Sequence, residues 1–230
     1  MTTTLITGAN KGIGHEVARR LLAVGHDVWV AARDERRGRA AAEALGARFV
    51  ALDVTDDASV AAAAERVAAE GGVDVLVNNA GIVGARKPWA QLTPDDIEHV
   101  FATNVLGPMR VTRAFVPLLQ RSANPVVVNV SSGMGSLAVT SDPSRLESTL
   151  ISLGYPTSKA ALNMLTTQYA KALPAMRINA VDPGYTATDF NDHTGTQTVQ
   201  QGSEAIVAMA TIDASGPTGT FVDRHGVVPW

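Results

Sequence analysis

Short, continuously apolar runs recur along the chain, separated by longer stretches whose apolar positions return with helical spacing. The short runs are Thr3–Thr7, Val28–Ala32, Arg48–Leu52, Val75–Asn78, Val126–Val130 and Arg177–Val181, with a last one that includes Thr220–Val222. A strand that lacks period-two alternation is one covered by helices on both faces of its sheet. Between the runs, the pattern predicts helices near Gly14–Val24, Arg36–Leu45, Asp56–Ala69, Pro94–Gln120 and Pro156–Leu173. This alternation predicts an α/β fold: a doubly wound parallel β-sheet flanked by helices on both faces. Two stretches break the rhythm. Ser136–Leu153 is irregular, with Ser141-Asp142-Pro143-Ser144 as a turn and N-cap. Asn191–Gln201 is polar and contains glycine, and reads as a mobile lid.

Composition adds limits. A length of 230 residues, 46% hydrophobic and 18% charged, suits one domain with one large core spanning 1–230. A net charge of -3 carries no basic footprint for nucleic acid, and no run of Lys or Arg suits an anionic membrane surface. No apolar stretch is long enough to span a bilayer. The absence of cysteine excludes disulfides and thiolate zinc sites. With a first strand already beginning at Thr3, no room is left for a signal peptide, so the expectation is a cytoplasmic protein.

The first strand ends in Thr7-Gly8-Ala9-Asn10-Lys11-Gly12-Ile13-Gly14, and a helix follows. Glycines at this spacing permit a tight turn and let backbone approach a pyrophosphate, whose charge the helix N-terminus favours. The alternative is a plain glycine turn. After the second strand, a site for NADH would place a carboxylate to bind the ribose hydroxyls. Ala32 stands there, and Arg33 follows. Arginine offers a fixed fork of donors that fits a phosphate, although one of several solvated arginines would read the same way. Lys11 in the glycine loop folds back toward the same ribose. Two cations on one dianion, each bond worth about 1.5–3 kcal/mol before screening, predict NADP(H) as the cofactor.

Tyr155 and Lys159 lie four apart and so share a helix face. A phenol has a pKa of about 10, so it is a poor base at neutral pH. An ammonium ~5 Å away at an effective dielectric of about 20 favours the phenolate by roughly 3 kcal/mol, or about two pKa units. Such a tyrosine can pass a proton to or from a carbonyl oxygen as hydride moves at carbon.

These features occur in a specific series. Asp53-Val54 follows the third strand, and Asn78-Asn79-Ala80-Gly81 the fourth. Asn104 lies in the next helix, and Asn129-Val130-Ser131-Ser132 closes the fifth strand. Tyr155-Pro156-Thr157-Ser158-Lys159 opens a helix, and Pro183-Gly184-Tyr185-Thr186-Ala187-Thr188 follows the sixth strand. In this order the chain resembles the short-chain dehydrogenase/reductase family from Thr3 to about Asp189, and more weakly beyond. Ala31-Ala32-Arg33-Asp34 and Gly216-Pro217-Thr218-Gly219-Thr220-Phe221-Val222 are most similar to its carbonyl reductase-like branch.

The resemblance implies a Rossmann-type fold and an NADPH-dependent oxidoreductase of carbonyls or alcohols. It implies Asn104, Ser132, Tyr155 and Lys159 as the catalytic set, with Asn104 holding a water on a proton path to Lys159. It implies cofactor contacts from Gly8, Asn10, Lys11, Gly12, Ile13, Gly14, Arg33, Asp53, Val54, Asn79, Ala80, Gly81, Tyr155, Lys159, Pro183, Gly184 and Thr188. Ser131, its neighbour on the strand, should face away from the site. Substrate-pocket segments fall at about 133–153 and 185–201, with Val83, Trp89, Met134, Tyr185 and Phe190 as candidate walls. The stretch from Ser132 to Tyr155 is longer than the short spacing of the family, which favours a monomer or homodimer over a tetramer.

Other chemistries fit poorly. No nucleophile elbow surrounds Ser131 or Ser132, and the five histidines show no triad partner or ligand spacing. A non-catalytic NADP-binding regulator on the same fold is the rival reading. An intact acid–base pair argues against it.

Overall fold

In the computed structural model, which describes residues 1–230, the strands are β1 (Thr3–Thr7), β2 (Asp27–Ala32), β3 (Arg48–Ala51), β4 (Val75–Asn78), β5 (Val126–Val130), β6 (Arg177–Val181), β7 (Phe221–Asp223) and β8 (Gly226–Val227). The helices are α1 (Gly12–Ala23), α2 (Glu35–Leu45), α3 (Asp57–Ala69), α4 (Pro94–Asn104), α5 (Leu106–Leu119), α6 (Leu137–Ser141), α7 (Gly154–Ala172) and α8 (Val199–Ala210). One sheet runs β3-β2-β1-β4-β5-β6-β7-β8, parallel except for the last pair. The chain order reverses beside β1, between β2 and β4, where such sheets bind ligands.

Both faces of the sheet are buried because successive side chains point opposite ways. Leu5, Leu76, Val127 and Ile178 join a core with Phe115 and Leu119 of α5. Ile6, Val77, Val128 and Val181 join the opposite core with Val17 of α1 and Ile206 of α8. The inner strands are therefore buried on both faces and carry mostly apolar residues, as the sequence predicts.

Three elements differ from the sequence expectation. The helix expected over Pro94–Gln120 is broken at Val105 into α4 and α5. Pro108 has no N–H for the carbonyl of Asn104 four residues back, and its ring crowds that carbonyl. Second, α8 starts inside the stretch read as a lid. Thr198 and Gln201 form a reciprocal capping box, the signal that marks this start in the sequence. Third, β8 is a two-residue antiparallel edge, too short for a periodic signature.

The irregular stretch contains α6 and a 3₁₀ turn at Leu146–Thr149. The last residues of the sequence return to it. Ser136 Oγ donates to the Pro229 carbonyl at 2.6 Å, Ala138 N donates to Trp230 O at 3.3 Å, and the Trp230 ring stacks on Phe221.

Candidate active site

The loops that follow β1 to β6 line one continuous cavity of about 890 Å³. It runs from Arg33 and Asp53 at one end to Ser132, Tyr155 and Phe190 at the other.

The middle is the contact of two loops. Gly8 has φ +66°, and a Cβ there would lie 3.0 Å from Ala80 Cα. A Cβ on Gly14 would lie 2.4 Å from Asn79 Nδ2. Only glycine permits these approaches. Asn79 Nδ2 donates to Thr7 O at 2.8 Å, and the backbone amides of Asn79 and Ala80 donate to Thr7 Oγ1. The Asn79 side chain is thus spent on pinning the glycine loop. α1 begins at this loop with no side-chain cap and no acidic residue in its first turn. Its uncapped amides and positive dipole end form an anion site beside Asn10, Gly12 and Ile13, all in the cavity wall.

At the far end, Ala32, Arg33, Asp53 and Val54 line the cavity. Asp53 Oδ1 accepts from the backbone and hydroxyl of Thr55, and these bonds hold its carboxyl below the usual range. Lys11, expected beside Arg33, instead pairs with Asp189 at 2.8 Å. Arg37, absent from the expected contacts, is a second arginine in this wall. It lies one helical turn past Asp34, whose carboxylate caps α2 through the Arg37 amide.

At the near end, β5 delivers both serines. Ser131 turns inward, and its Oγ donates to Asn163 Oδ1 at 2.6 Å. Ser132 is half-buried in the cavity wall, and its Oγ accepts from Met134 N. Tyr155 and Lys159 stand one turn apart on α7. Lys159 Nζ donates to Val130 O at 2.7 Å and lies 5.6 Å from the Tyr155 ring centre. The sequence predicts a phenol drawn toward phenolate by this ammonium. In the structure burial prevails: it pushes the Tyr155 phenol above its ordinary value, against the pull of the Ser132 hydroxyl, and Asp182 adds to the rise. Burial also pushes Lys159 down to about 8, against the attraction of Asp182.

Asn104 is fully buried at the end of α4. Its Oδ1 accepts from Ile82 N, and its Nδ2 donates to Ile82 O and to Ser158 Oγ, so it fixes the loop after Gly81. Gly81 faces Asn104 Oδ1 and Lys159 Nζ. Thr188 Oγ1 caps a short 3₁₀ turn by accepting from Phe190 N. Pro183, Gly184 and Thr188 line the cavity.

Val83, Met134, Tyr185 and Phe190 stand in the wall as expected, and Phe190 meets the Tyr155 ring edge to face. Trp89 does not: it is 66% exposed in a 3₁₀ turn outside the cavity. Leu146, Leu150 and Glu147 from the irregular stretch join instead. The stretch read as a lid is tied at both ends. Gln197 N donates to Tyr185 O, Ala187 N donates to Gln197 O, and Arg86 pairs with Asp192. No helix of the chain is long and apolar enough to cross a membrane.

Residues 2–198 match the short chain dehydrogenase family. A (+)-neomenthol dehydrogenase of Arabidopsis thaliana is 34% identical, over 97% of this chain and 96% of that protein. A carbonyl reductase 1 (NADPH) of Pongo abelii is also 34% identical, over 100% of this chain and 99% of that one. Among solved structures, an NADPH-bound carbonyl reductase from chicken fatty liver aligns with a TM-score of 0.89 at 28% identity, covering 100% of this chain and 99% of that chain.

Proposed function

This chain belongs to the short-chain dehydrogenases, oxidoreductases acting between CH–OH and C=O, and from that premise we propose that it reduces a ketone, aldehyde or quinone with NADPH, or runs the reverse oxidation. The observation that carries the proposal is one continuous cavity. An uncapped helix start and two arginines occupy one part of it, and Ser132, Tyr155 and Lys159 the other. NADP(H) fits these residues. The start of α1 leaves its first amides uncapped beside the glycine loop, and Arg33 and Arg37 supply cations where an NADH site would carry an acid. Two proteins that this chain resembles, a carbonyl reductase 1 (NADPH) and an NADPH-bound carbonyl reductase, support the same cofactor.

The bound dinucleotide would supply the hydride. Tyr155, neutral because burial disfavours its phenolate, supplies the proton to the carbonyl oxygen as charge develops there. The Ser132 hydroxyl holds that oxygen. Lys159, anchored on Val130 O, presents an ammonium below pH about 8 and stands ready to restore the tyrosine proton. Leu146, Leu150, Met134 and Phe190 offer an apolar wall for a substrate to pack on. Asn104 serves by fixing Ile82, and by family resemblance its place is on the proton path to Lys159. The assembly proposed is a monomer or homodimer in the cytoplasm, and a light-scattering mass of four chains would count against it.

The test is NADPH oxidation against a panel of aldehydes, ketones and quinones. We expect turnover of apolar carbonyls, and Tyr155→Phe should lower kcat roughly 10²–10⁴-fold while NADPH still binds. A variant within a few-fold of the parent would show that Tyr155 is not the acid.

A further inference from the structure

The β5–β6 register places one buried carboxylate beside the acid–base pair. Val130 is opposite Val181, and Ser131 N donates to Val181 O at 2.7 Å. The residues that follow, Ser132-Gly133 on one side and Asp182-Pro183-Gly184 on the other, are therefore neighbours. Asp182 is only 7% exposed. Its Oδ1 accepts from Gly184 N at 2.9 Å, and its Oδ2 lies against Gly133 of the neighbouring turn. A Cβ on Gly133 would lie 2.9 Å from Asp182 Oδ2 and 3.0 Å from Glu147 Oε1, so both carboxylates press on that turn.

We propose that Asp182 is a positioning residue: it holds the Pro183-Gly184 turn against the turn after Ser132, and when ionised it sets a negative charge beside Tyr155 and Lys159. The inference rests on the catalytic reading above. A carboxylate is a costly choice here. Burial pushes the Asp182 carboxyl above the ordinary carboxylate range, and Asp223 and Glu147 add to the rise. Asparagine would accept from Gly184 N equally well. What asparagine lacks is the charge and the second acceptor. Lys159 and Tyr155 of α7, Glu147 and Arg145 of the irregular stretch, and Asp223 of β7 are the titratable groups around it. Among them Lys159 is a buried ammonium whose neighbouring backbone partner is a single carbonyl. The Asp182 carboxylate opposes the loss of its proton, which keeps the proton source charged at neutral pH.

Asp182→Asn tests this. The titration of Lys159, followed by the chemical shift of its labelled side chain, should move down by about one pH unit. The alkaline limb of the kcat profile should move with it. The value of kcat should fall about tenfold, while KM for NADPH stays within about threefold. Asp182→Glu should return the Lys159 titration toward that of the parent without restoring kcat, because the longer side chain carries the charge but misplaces the clamp. Folded Asp182→Asn with an unchanged Lys159 titration and pH profile would overturn the proposal. So would a variant that only lowers Tm. If the asparagine variant does not fold, the parent decides: the Lys159 shift should show an acidic step that survives Glu147→Gln, and its absence overturns the proposal. The titration needs no substrate, so it stands apart from whether a carbonyl is ever turned over.

Discussion

At the end of β2, we propose that two adjacent residues carry the discrimination between cofactors. Ala32 withholds the carboxylate that would repel a ribose phosphate, and Arg33 lines the cavity beside it. Because Lys11 is held by Asp189, selectivity rests first on Arg33, with Arg37 close by. Arg33→Ala should raise KM for NADPH roughly ten- to a hundredfold, with a much smaller effect on NADH and on the maximal rate. Ala32→Asp should shift preference toward NADH. Steady-state kinetics with both cofactors decide, and equal weakening of the two would overturn the assignment. A second effect at this scale is a stability cost. Lys159 is pushed down to about 8 in the fold from an ordinary 10.5 in the unfolded chain. Between those values the unfolded chain holds a proton that the folded one has lost, so stability contributed by this site rises with pH. The parent should therefore gain stability relative to Lys159→Met between pH about 8 and 10.5, as read by denaturant unfolding. Tyr155 and Lys159 are legible in the sequence because one helical turn brings them together. Asp182 and Arg37 are not, since their meaning arises only when separate strands and loops are set side by side.

Among the elements, the break between α4 and α5 has the plainest cause and consequence. Pro108 ends the bonding of one helix and starts the next, and the buried Asn104 side chain sits at the joint with both of its polar atoms on Ile82. Pro108→Ala would return the missing N–H and allow α4 to run on. We expect Tm to hold or rise while kcat drops about tenfold, because small displacements of a reacting constellation are costly. An unchanged kcat would show that the joint is only packing. The strands were readable from their unbroken apolar runs. This joint was not, because periodicity crosses Val105 undisturbed and only the proline four residues after Asn104 betrays it. α8 was masked in the same way: its first turn is polar and glycine-containing, and its buried residues, Ala205, Ile206 and Ala210, come later.

Across the whole molecule, a parallel sheet with a core on each face follows from the hydrophobic pattern, and the loops at the strand ends form a single cavity. The substrate side was less legible. Its walls come from Ser136–Leu153 and from Tyr185–Phe190, which have no periodicity to read, and Trp89 proved to lie outside. One wall is held from a great sequence distance: Ser136 bonds the carbonyl of Pro229, 93 residues on, and Trp230 stacks against β7. Contacts across so long a loop carry a high entropic cost and form late. Removing Val228–Trp230 should leave NADPH binding near that of the parent but raise KM for carbonyl substrates several-fold, which titration and kinetics can separate. In refolding, dinucleotide affinity should recover before substrate turnover. The two halves of the cavity would then mature on different clocks, the substrate half waiting for the last few residues of the sequence.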